Sequence, residues 1–189
     1  MEKLIIFSAP SGSGKTTVVK HLLKEMSDKL GFSVSATTRK KRPSETEGKD
    51  YYFLEETDFE QKIDSKEFLE YEEVYKGLYY GTLVSEVNRV WAQGKSIVFD
   101  VDVQGGINIK NKYGNRALAV FLRPPSIDVL MDRLRKRDTE VEHHLQERID
   151  KAKYELDFEN QFDKVIINDD LQVALAEAEQ AVINFLEKN

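Results

Sequence analysis

The sequence predicts an α/β fold in which a β-sheet is flanked by helices, and three observations support this prediction. Five short apolar segments that favour β-structure alternate with segments of helical periodicity. The first of these β segments leads directly through a loop of small residues into a helix, as strand–loop–helix units do. A chain of 189 residues with 33% charged and 40% hydrophobic residues is long enough for one folded domain that carries an insertion.

The first strand, residues 4–7, is followed by a loop and a helix start that together read Ser8-Ala9-Pro10-Ser11-Gly12-Ser13-Gly14-Lys15-Thr16-Thr17. Small residues allow successive backbone N–H groups to surround phosphate oxygens, and the positive end of the following helix favours the same anion. Lys15 can reach the β- and γ-phosphates of a nucleotide, and the Thr16 hydroxyl can join the coordination shell of Mg²⁺. Ala9 stands where the usual motif has glycine, and the loop still closes if that position does not require a positive φ. The alternative is an ordinary turn that happens to precede a lysine, but the flanking strand and helix are the context that the motif requires.

A basic loop follows the next predicted strand. We expect the first helix to end near Gly31, a C-cap by position, and residues 32–38 to form a strand. The sequence then reads Arg39-Lys40-Lys41-Arg42-Pro43. Such a charge run is usually solvated; the functional alternative is a clamp in which Arg39 and Arg42 bind a second phosphate group.

Tyrosines dominate the following region, which we interpret as a small inserted subdomain. Six of the eight tyrosines lie between residues 51 and 80. Alternating polar and apolar residues suggest short antiparallel strands, and Thr57 is a candidate cap for a helix that continues to Ile63. The aromatic residues can form the core of the subdomain, or their phenol groups can hydrogen-bond a phosphate.

Two acids end the next buried strand, after a helix predicted over residues 83–93 that stops at Gly94. Asp100 and Asp102 follow residues 96–99, and we expect a helix to begin at Ile107. Carboxylates at the carboxyl end of a central strand can hold Mg²⁺ or its water beside a phosphate loop. The alternative is that both acids only shape the turn.

Arginines mark the last third of the chain. After a strand over residues 117–122, a helix capped by Ser126 carries Arg133 and Arg137 on one face, and a second helix carries Arg148. In isolation these arginines would be solvated or paired with acids; beside a phosphate loop they can form a cationic lid. The chain then ends in a short strand over residues 165–168 and a helix over residues 171–186, and Asp169 and Asp170 are expected to cap that helix. The adjacent His143 and His144 are assigned to the surface.

Composition argues against several classes of partner. A net charge of −6 and a pI near 5.3 disfavour general nucleic-acid or anionic-membrane binding. With no cysteine, no disulfide or thiolate zinc site can form. No apolar stretch approaches the roughly 20 residues of a membrane span, and the first strand runs straight into the loop without a leader. We therefore expect a cytoplasmic protein.

Nearly the whole chain resembles the guanylate kinase family. The segments that carry the resemblance are residues 8–16, 32–39 with Arg42-Pro43, 48–53, 67–70, 79–82, 100–105, 124–126 and 165–170. The phosphate loop is common to many families, but the combination of segments is specific.

The resemblance implies a P-loop NTPase-type fold with a five-stranded parallel sheet. It divides a single domain into a core (about 1–34, 83–125 and 163–189), a GMP-binding insertion (about 35–82) and a lid (about 126–162). The implied reaction is ATP + GMP giving ADP + GDP with Mg²⁺, and dGMP is an expected second acceptor. Neither a nucleic acid, a membrane nor an obligate protein partner is expected.

The resemblance also implies the site residues. GMP would be held at its phosphate by Ser35, Arg39, Arg42, Tyr51 and Tyr80, and at its guanine by Glu70 and Thr82 with Asp102, with Asp100 beside them. ATP would be held by residues 8–17, Arg133 and Asn168. Mg²⁺ would be held by Thr16, with Asp100 acting through water. Catalysis, which needs charge neutralisation rather than a strong nucleophile, is expected from Lys15, Arg42, Arg137 and Arg148.

Glu70 decides between acceptors. Guanine presents two adjacent donors, N1–H and the 2-amino group, to two carboxylate oxygens, whereas adenine would leave the carboxylate unpaired. An adenylate kinase is therefore disfavoured. A peptide-binding scaffold domain is disfavoured because the phosphate loop is intact. A P-loop GTPase or translocating ATPase is disfavoured because an acceptor clamp is present. Two further departures from the family pattern are one extra residue in Lys76-Gly77-Leu78 and Asp138 at a position where glycine is frequent.

Overall fold

The protein is built on two β-sheets and their flanking helices; the structure, a computed structural model, describes residues 2–137 and 142–188. The strands are β1 (Leu4–Ser8), β2 (Leu30–Phe32), β3 (Ala36–Thr37), β4 (Tyr52–Phe53), β5 (Phe68–Tyr75), β6 (Leu78–Leu83), β7 (Ser96–Asp100), β8 (Ala117–Arg123) and β9 (Lys164–Ile167). The α-helices are α1 (Lys15–Glu25), α2 (Glu56–Asp64), α3 (Val84–Trp91), α4 (Val103–Tyr113), α5 (Ile127–Arg137), α6 (Glu142–Leu156) and α7 (Leu171–Glu187).

The larger sheet is parallel and has the order β2-β7-β1-β8-β9, which confirms the predicted fold class. β1 lies at its centre and is buried on both faces. Ile5 and Phe7 pack with α1 and α7 on one side, while Leu4 and Ile6 pack with α3 and α4 on the other. Strands buried on both faces read as continuous apolar runs, which explains the sequence of β1.

The smaller sheet has the order β4-β3-β6-β5 and contains both parallel and antiparallel pairs. Its core is aromatic: the Phe59 ring stacks on Phe68 at 4.2 Å and on Tyr79 at 5.2 Å between centroids. Aromatic packing of this kind stabilises a subdomain too small to bury much aliphatic surface. Tyr79 thus fits the core interpretation of the tyrosine-rich region.

The predicted single strand over residues 32–38 is wrong, because the chain changes sheets there. Ser33 N still donates to Val98 O in the parallel sheet, whereas Val34 N donates to a side chain, and β3 belongs to the smaller sheet. Gly31 is also not a helix cap, since α1 ends at Glu25 and Gly31 lies in β2. A Cβ at Gly31 would stand 2.6 Å from Val90 Cγ1, so close packing explains this glycine.

Two predicted helix starts also need correction. The N-cap of α2 is Glu55, and Thr57 lies inside the helix. α4 begins at Val103 rather than Ile107, because the Asp102 carboxylate caps it by accepting a hydrogen bond from Gly105 N at 2.7 Å.

Other predicted boundaries agree with the structure. Ser126 Oγ accepts from Val129 N at 3.2 Å, and the Asp170 carboxylate accepts from two backbone N–H groups at the start of α7. α5 and α6 pack on each other through Leu130, Leu134 and Ile149. None of the helices within residues 2–137 and 142–188 has the length and apolar character needed to cross a membrane.

Candidate active site

The loop between β1 and α1 has the backbone geometry of a phosphate-binding loop. Gly12 and Gly14 both have a φ of 91°, which favours glycine. A Cβ at Gly14 would also stand 2.5 Å from Asn168 Nδ2, and this amide donates to Ser13 O at 2.7 Å. Ala9 is buried and does not have a positive φ, so an alanine is accommodated where the motif usually has glycine.

A cation, a hydroxyl and a carboxylate meet where β1 and β7 end. Lys15 Nζ lies 2.6 Å from Asp100 Oδ1 and donates to Val101 O at 2.5 Å. Thr16 Oγ1 donates to Asp100 Oδ2 at 3.0 Å. β1 and β7 are adjacent parallel strands, so their carboxyl ends bring the start of α1 and Asp100 together.

These oxygens suit a magnesium ion that is bound mainly through phosphate. Mg²⁺ is usually held by one or two protein oxygens together with waters and substrate phosphates. Thr16 and Asp100 offer such a set, whereas the described part of the chain contains no group of three or more His, Cys, Asp or Glu side chains able to hold a metal.

The phosphate loop forms one wall of a cavity of about 370 Å³. The opposite walls come from the insertion, through Tyr51 and Tyr80, and from α6, through Arg148, Lys151 and Glu155. Three parts of the fold therefore surround a single space that is lined by hydroxyls, by three cations and by the carboxylates of Asp100, Asp102 and Glu155. Such a cavity is large enough for a ligand of nucleotide size.

A second cavity of about 50 Å³ adjoins the first and lies between the two sheets. It brings together most of the residues predicted to bind an acceptor: Ser35, Tyr51, Glu70, Tyr80, Asp100 and Asp102. Thr82 is opposite Glu70 in the pairing of β5 with β6 and is fully buried.

Carboxylates dominate the electrostatics of the smaller cavity. Burial raises the pKa of Glu70 to about 7. The adjacent Asp102 carboxylate, together with burial, raises the pKa of Glu72 to about 8. A ligand that presents hydrogen-bond donors to this pocket would relieve the cost of these buried charges.

Arg39 contacts an acid in the structure rather than facing the cavities. Its guanidinium donates to both carboxylate oxygens of Glu45, at 3.0 and 2.7 Å, and lies 5.3 Å from the centre of the Tyr51 ring. This pairing lowers the pKa of Glu45 to about 2. Arg42 donates to Glu45 through its backbone N–H, and neither arginine lines the two cavities described above.

Two predicted lid residues contact the core: the one on α6 reaches the phosphate loop, and the one on α5 reaches the residue after β9. Arg148 donates to Ser11 Oγ at 2.9 Å, and Arg133 donates to Asn168 O at 3.0 Å. The side chains of Arg137, His143 and His144, and the whole of Asp138, lie outside the described residues. The extra residue before Tyr79 falls near the β5–β6 turn, and Tyr80 still lines both cavities.

Three charged residues that line these cavities were missed by sequence reasoning. Glu72 lines the smaller cavity, and Lys151 and Glu155 line the larger one. The strand period of two places Glu72 on the same face as Glu70, and the helical period places Lys151 and Glu155 on the same face as Arg148. These periodicities are the signal that could have identified them.

Comparisons with known proteins agree with the fold. Residues 1–185 match the family profile described as guanylate kinase. The chain is 52% identical over 184 residues to a guanylate kinase of Bacteroides fragilis, covering 97% of this chain and 90% of that protein. It is 47% identical over 188 residues to a guanylate kinase of Porphyromonas gingivalis, covering 100% of both.

A solved structure gives the same result. The crystal structure of guanylate kinase from Anaplasma phagocytophilum aligns with a TM-score of 0.77 at 26% identity, over 100% of this chain and 88% of that one. Because the profile and both relatives cover almost the entire chain, the protein belongs to the guanylate kinase family of enzymes.

Proposed function

We propose that the protein transfers the γ-phosphoryl group of ATP to GMP, and also to dGMP, in a reaction that requires Mg²⁺. The observation that carries this proposal is the pair of adjoining cavities. The larger contains the phosphate loop, the smaller contains the half-buried Glu70, and both are lined by Tyr51, Tyr80 and Asp100. A donor in the first and an acceptor in the second would meet at the shared wall.

The smaller cavity suits guanine. Glu70 can accept hydrogen bonds from N1–H and the 2-amino group, and the Thr82 hydroxyl, on the strand opposite Glu70, can donate to O6. Asp102 can accept a further hydrogen bond from the 2-amino group, although one of its oxygens already caps α4. Adenine offers no matching pair of donors, so it would leave Glu70 buried and unpaired.

The acceptor phosphate would lie toward the larger cavity. Ser35, Tyr51 and Tyr80 line the route between the base pocket and the phosphate loop. Arg39 would exchange its ion pair with Glu45 for one with the phosphate, and Arg42, in the same loop, would also bind the phosphate. This exchange is favourable because a phosphate carries more negative charge than one carboxylate.

Positioning and charge neutralisation would supply the catalysis. Lys15 would contact the transferred phosphoryl group, and Arg148 would contact it from α6, where it already reaches the loop. Arg137 and Arg42 would add positive charge, with Arg133 supporting. The acceptor phosphate is itself the nucleophile, so no side chain needs to become one.

Thr16 and Asp100 would hold Mg²⁺, Asp100 through water. When bound, the ion would neutralise charge on the donor phosphates. In support of this role, Lys15 and Thr16 each contact one oxygen of Asp100 and keep its carboxylate beside the phosphate loop.

Three parts of the chain would have separate tasks. The core (about 1–34, 83–125 and 163–189) would bind the donor, the insertion (about 35–82) the acceptor, and the lid (about 126–162) would exclude water from the reacting phosphates. A cytoplasmic location and the absence of a nucleic-acid, membrane or obligate protein partner stay predictions.

An acceptor panel tests the proposal. ADP release should be measured with ATP and Mg²⁺, using GMP, dGMP, AMP, CMP and UMP in parallel. We expect turnover with GMP and dGMP alone. Equal turnover with AMP would refute the assignment of Glu70, and ADP release without any acceptor would indicate an ATPase instead.

A further inference from the structure

The insertion is connected to the core by two chain crossings. The first runs from the end of β2 to the start of β3, over residues 33–35. The second runs from Leu83 at the end of β6 into α3 at Val84. Ser35 lies on the first crossing and Thr82 lies just before the second. Any change in the angle of the crossings would move the acceptor pocket relative to the phosphate loop.

One buried carboxylate, Glu86 on α3, ties these crossings together. It is only 3% exposed and accepts four hydrogen bonds. Val34 N donates at 2.9 Å and the Tyr52 hydroxyl at 2.8 Å. Arg89 donates to the two oxygens from Nε and a terminal nitrogen, each at 2.8 Å. Arg89 also donates to Phe32 O at 2.8 Å, so the network spans both sheets.

The network stabilises the ionised form of Glu86. Burial alone would raise its pKa, but hydrogen bonds from Arg89, Val34 N and Tyr52 outweigh burial and hold the pKa below its ordinary value. A buried carboxylate with hydrogen bonds to both oxygens holds its donors in a defined geometry, because moving any one donor away leaves negative charge without a hydrogen bond.

We infer that Glu86 is a positioning residue that sets the orientation of the acceptor-binding insertion relative to the phosphate loop. The partners of Glu86 flank predicted acceptor ligands: Val34 precedes Ser35, and Tyr52 follows Tyr51. A backbone hydrogen bond from Tyr52 N to Ser35 O at 2.9 Å couples the two segments. This inference rests on the proposed function, since it assigns the insertion to the acceptor.

Three variants test this role by removing progressively more of the hydrogen bonds to Glu86. Tyr52→Phe removes one hydrogen bond, Glu86→Gln keeps the volume but replaces one acceptor oxygen with a donor, and Glu86→Ala removes the tie. The matched controls are Ser85→Ala, at the exposed neighbour on α3, and Tyr75→Phe, at a tyrosine that is 53% exposed. Tyr52→Phe removes only an oxygen atom, so it keeps the test available if Glu86→Ala fails to fold.

Kinetics separate positioning from mere stabilisation. We expect KM for GMP to rise about 3-fold in Tyr52→Phe and about 10-fold or more in Glu86→Gln. A hydrogen bond to a charged group that is lost directly costs roughly 10- to 150-fold, and only part of that loss reaches GMP through the insertion. KM for ATP should stay within about twofold of the wild type, because the phosphate loop is not tied to Glu86. Both controls should match the wild type.

Amide hydrogen exchange supplies a readout that does not depend on activity. We expect exchange of the Val34 and Tyr52 amides to accelerate in Glu86→Gln, with exchange in α1 unchanged. Equal increases in both KM values, or unchanged values for GMP with unchanged exchange, would overturn the inference while leaving the proposed function intact. If the wild-type protein fails to phosphorylate GMP, the proposed function is refuted. In that case, unchanged exchange of the Val34 and Tyr52 amides in Glu86→Gln would also refute the positioning role of Glu86.

Discussion

Replacing Glu70 with glutamine should weaken the reaction with GMP and stabilise the free protein at the same time. Glu70 lies half-buried between the two sheets, with Gly105 against its carboxylate: a Cβ at that glycine would stand 2.7 Å from Glu70 Oε2. The ionised side chain is costly there, since burial raises its pKa from 4.5 to about 7. A neutral amide of the same shape removes that cost but presents a donor to the donors of guanine.

The two effects have comparable size and opposite sign. Losing one charged hydrogen bond and opposing one donor with another should cost about 2–4 kcal/mol, which lowers kcat/KM for GMP roughly 30- to 1,000-fold. The pKa of about 7 corresponds to about 3 kcal/mol in favour of a neutral side chain above that pH. We therefore expect Glu70→Gln to raise the Tm at pH 8 while lowering activity.

Steady-state ADP release and thermal unfolding at pH 8 measure the two effects on one preparation. Glu60→Gln, at an exposed position of α2, is the matched control and should change neither quantity. A kcat/KM for GMP within about threefold of the wild type would refute the role of Glu70 as the guanine reader. A fall in Tm with intact activity would show that the carboxylate serves the fold instead.

Four further predictions follow from the same geometry. Because the pKa of Glu70 is raised to about 7, kcat/KM for GMP should fall about tenfold per pH unit below that value, while KM for ATP stays flat in the same titration. Asp100→Asn should raise the Mg²⁺ concentration needed for half-maximal turnover about tenfold or more, measured by metal titration. Gly14→Ala should abolish ATP binding in calorimetry, because the residue has a φ of 91° and the added Cβ would meet Asn168 Nδ2 at 2.5 Å. Phe59→Ala should cost about 3–5 kcal/mol in urea unfolding, because this ring is the centre of the aromatic core.

The phosphate loop could be predicted from the sequence because its determinants are local. The glycines, Lys15 and Thr16 follow one another between a strand and a helix, and that context needs no knowledge of the rest of the fold. Asp100 is nearly as local, because the end of a parallel strand always meets the ends of its neighbours. The parallel sheet follows from alternation along the chain.

The remaining features depend on contacts between distant segments. Gly31 has the sequence context of a helix cap, and only the position of Val90 explains it. The division of residues 32–38 between β2 and β3 depends on which sheet each segment pairs with. The apolar pattern of these residues is the same for one continuous strand as for two strands in different sheets. Glu45 could not be identified as the partner of Arg39, since any of several nearby acids has a similar spacing.

The fate of the γ-phosphoryl group tests the central claim most directly. Labelled ATP, carrying radioactive phosphorus at the γ position, should be incubated with GMP, Mg²⁺ and the purified protein, and the products separated by chromatography. The account predicts that the label appears in GDP, with little in free phosphate because the proposed lid would exclude water. Label recovered mainly as inorganic phosphate, with GMP unchanged, would contradict it.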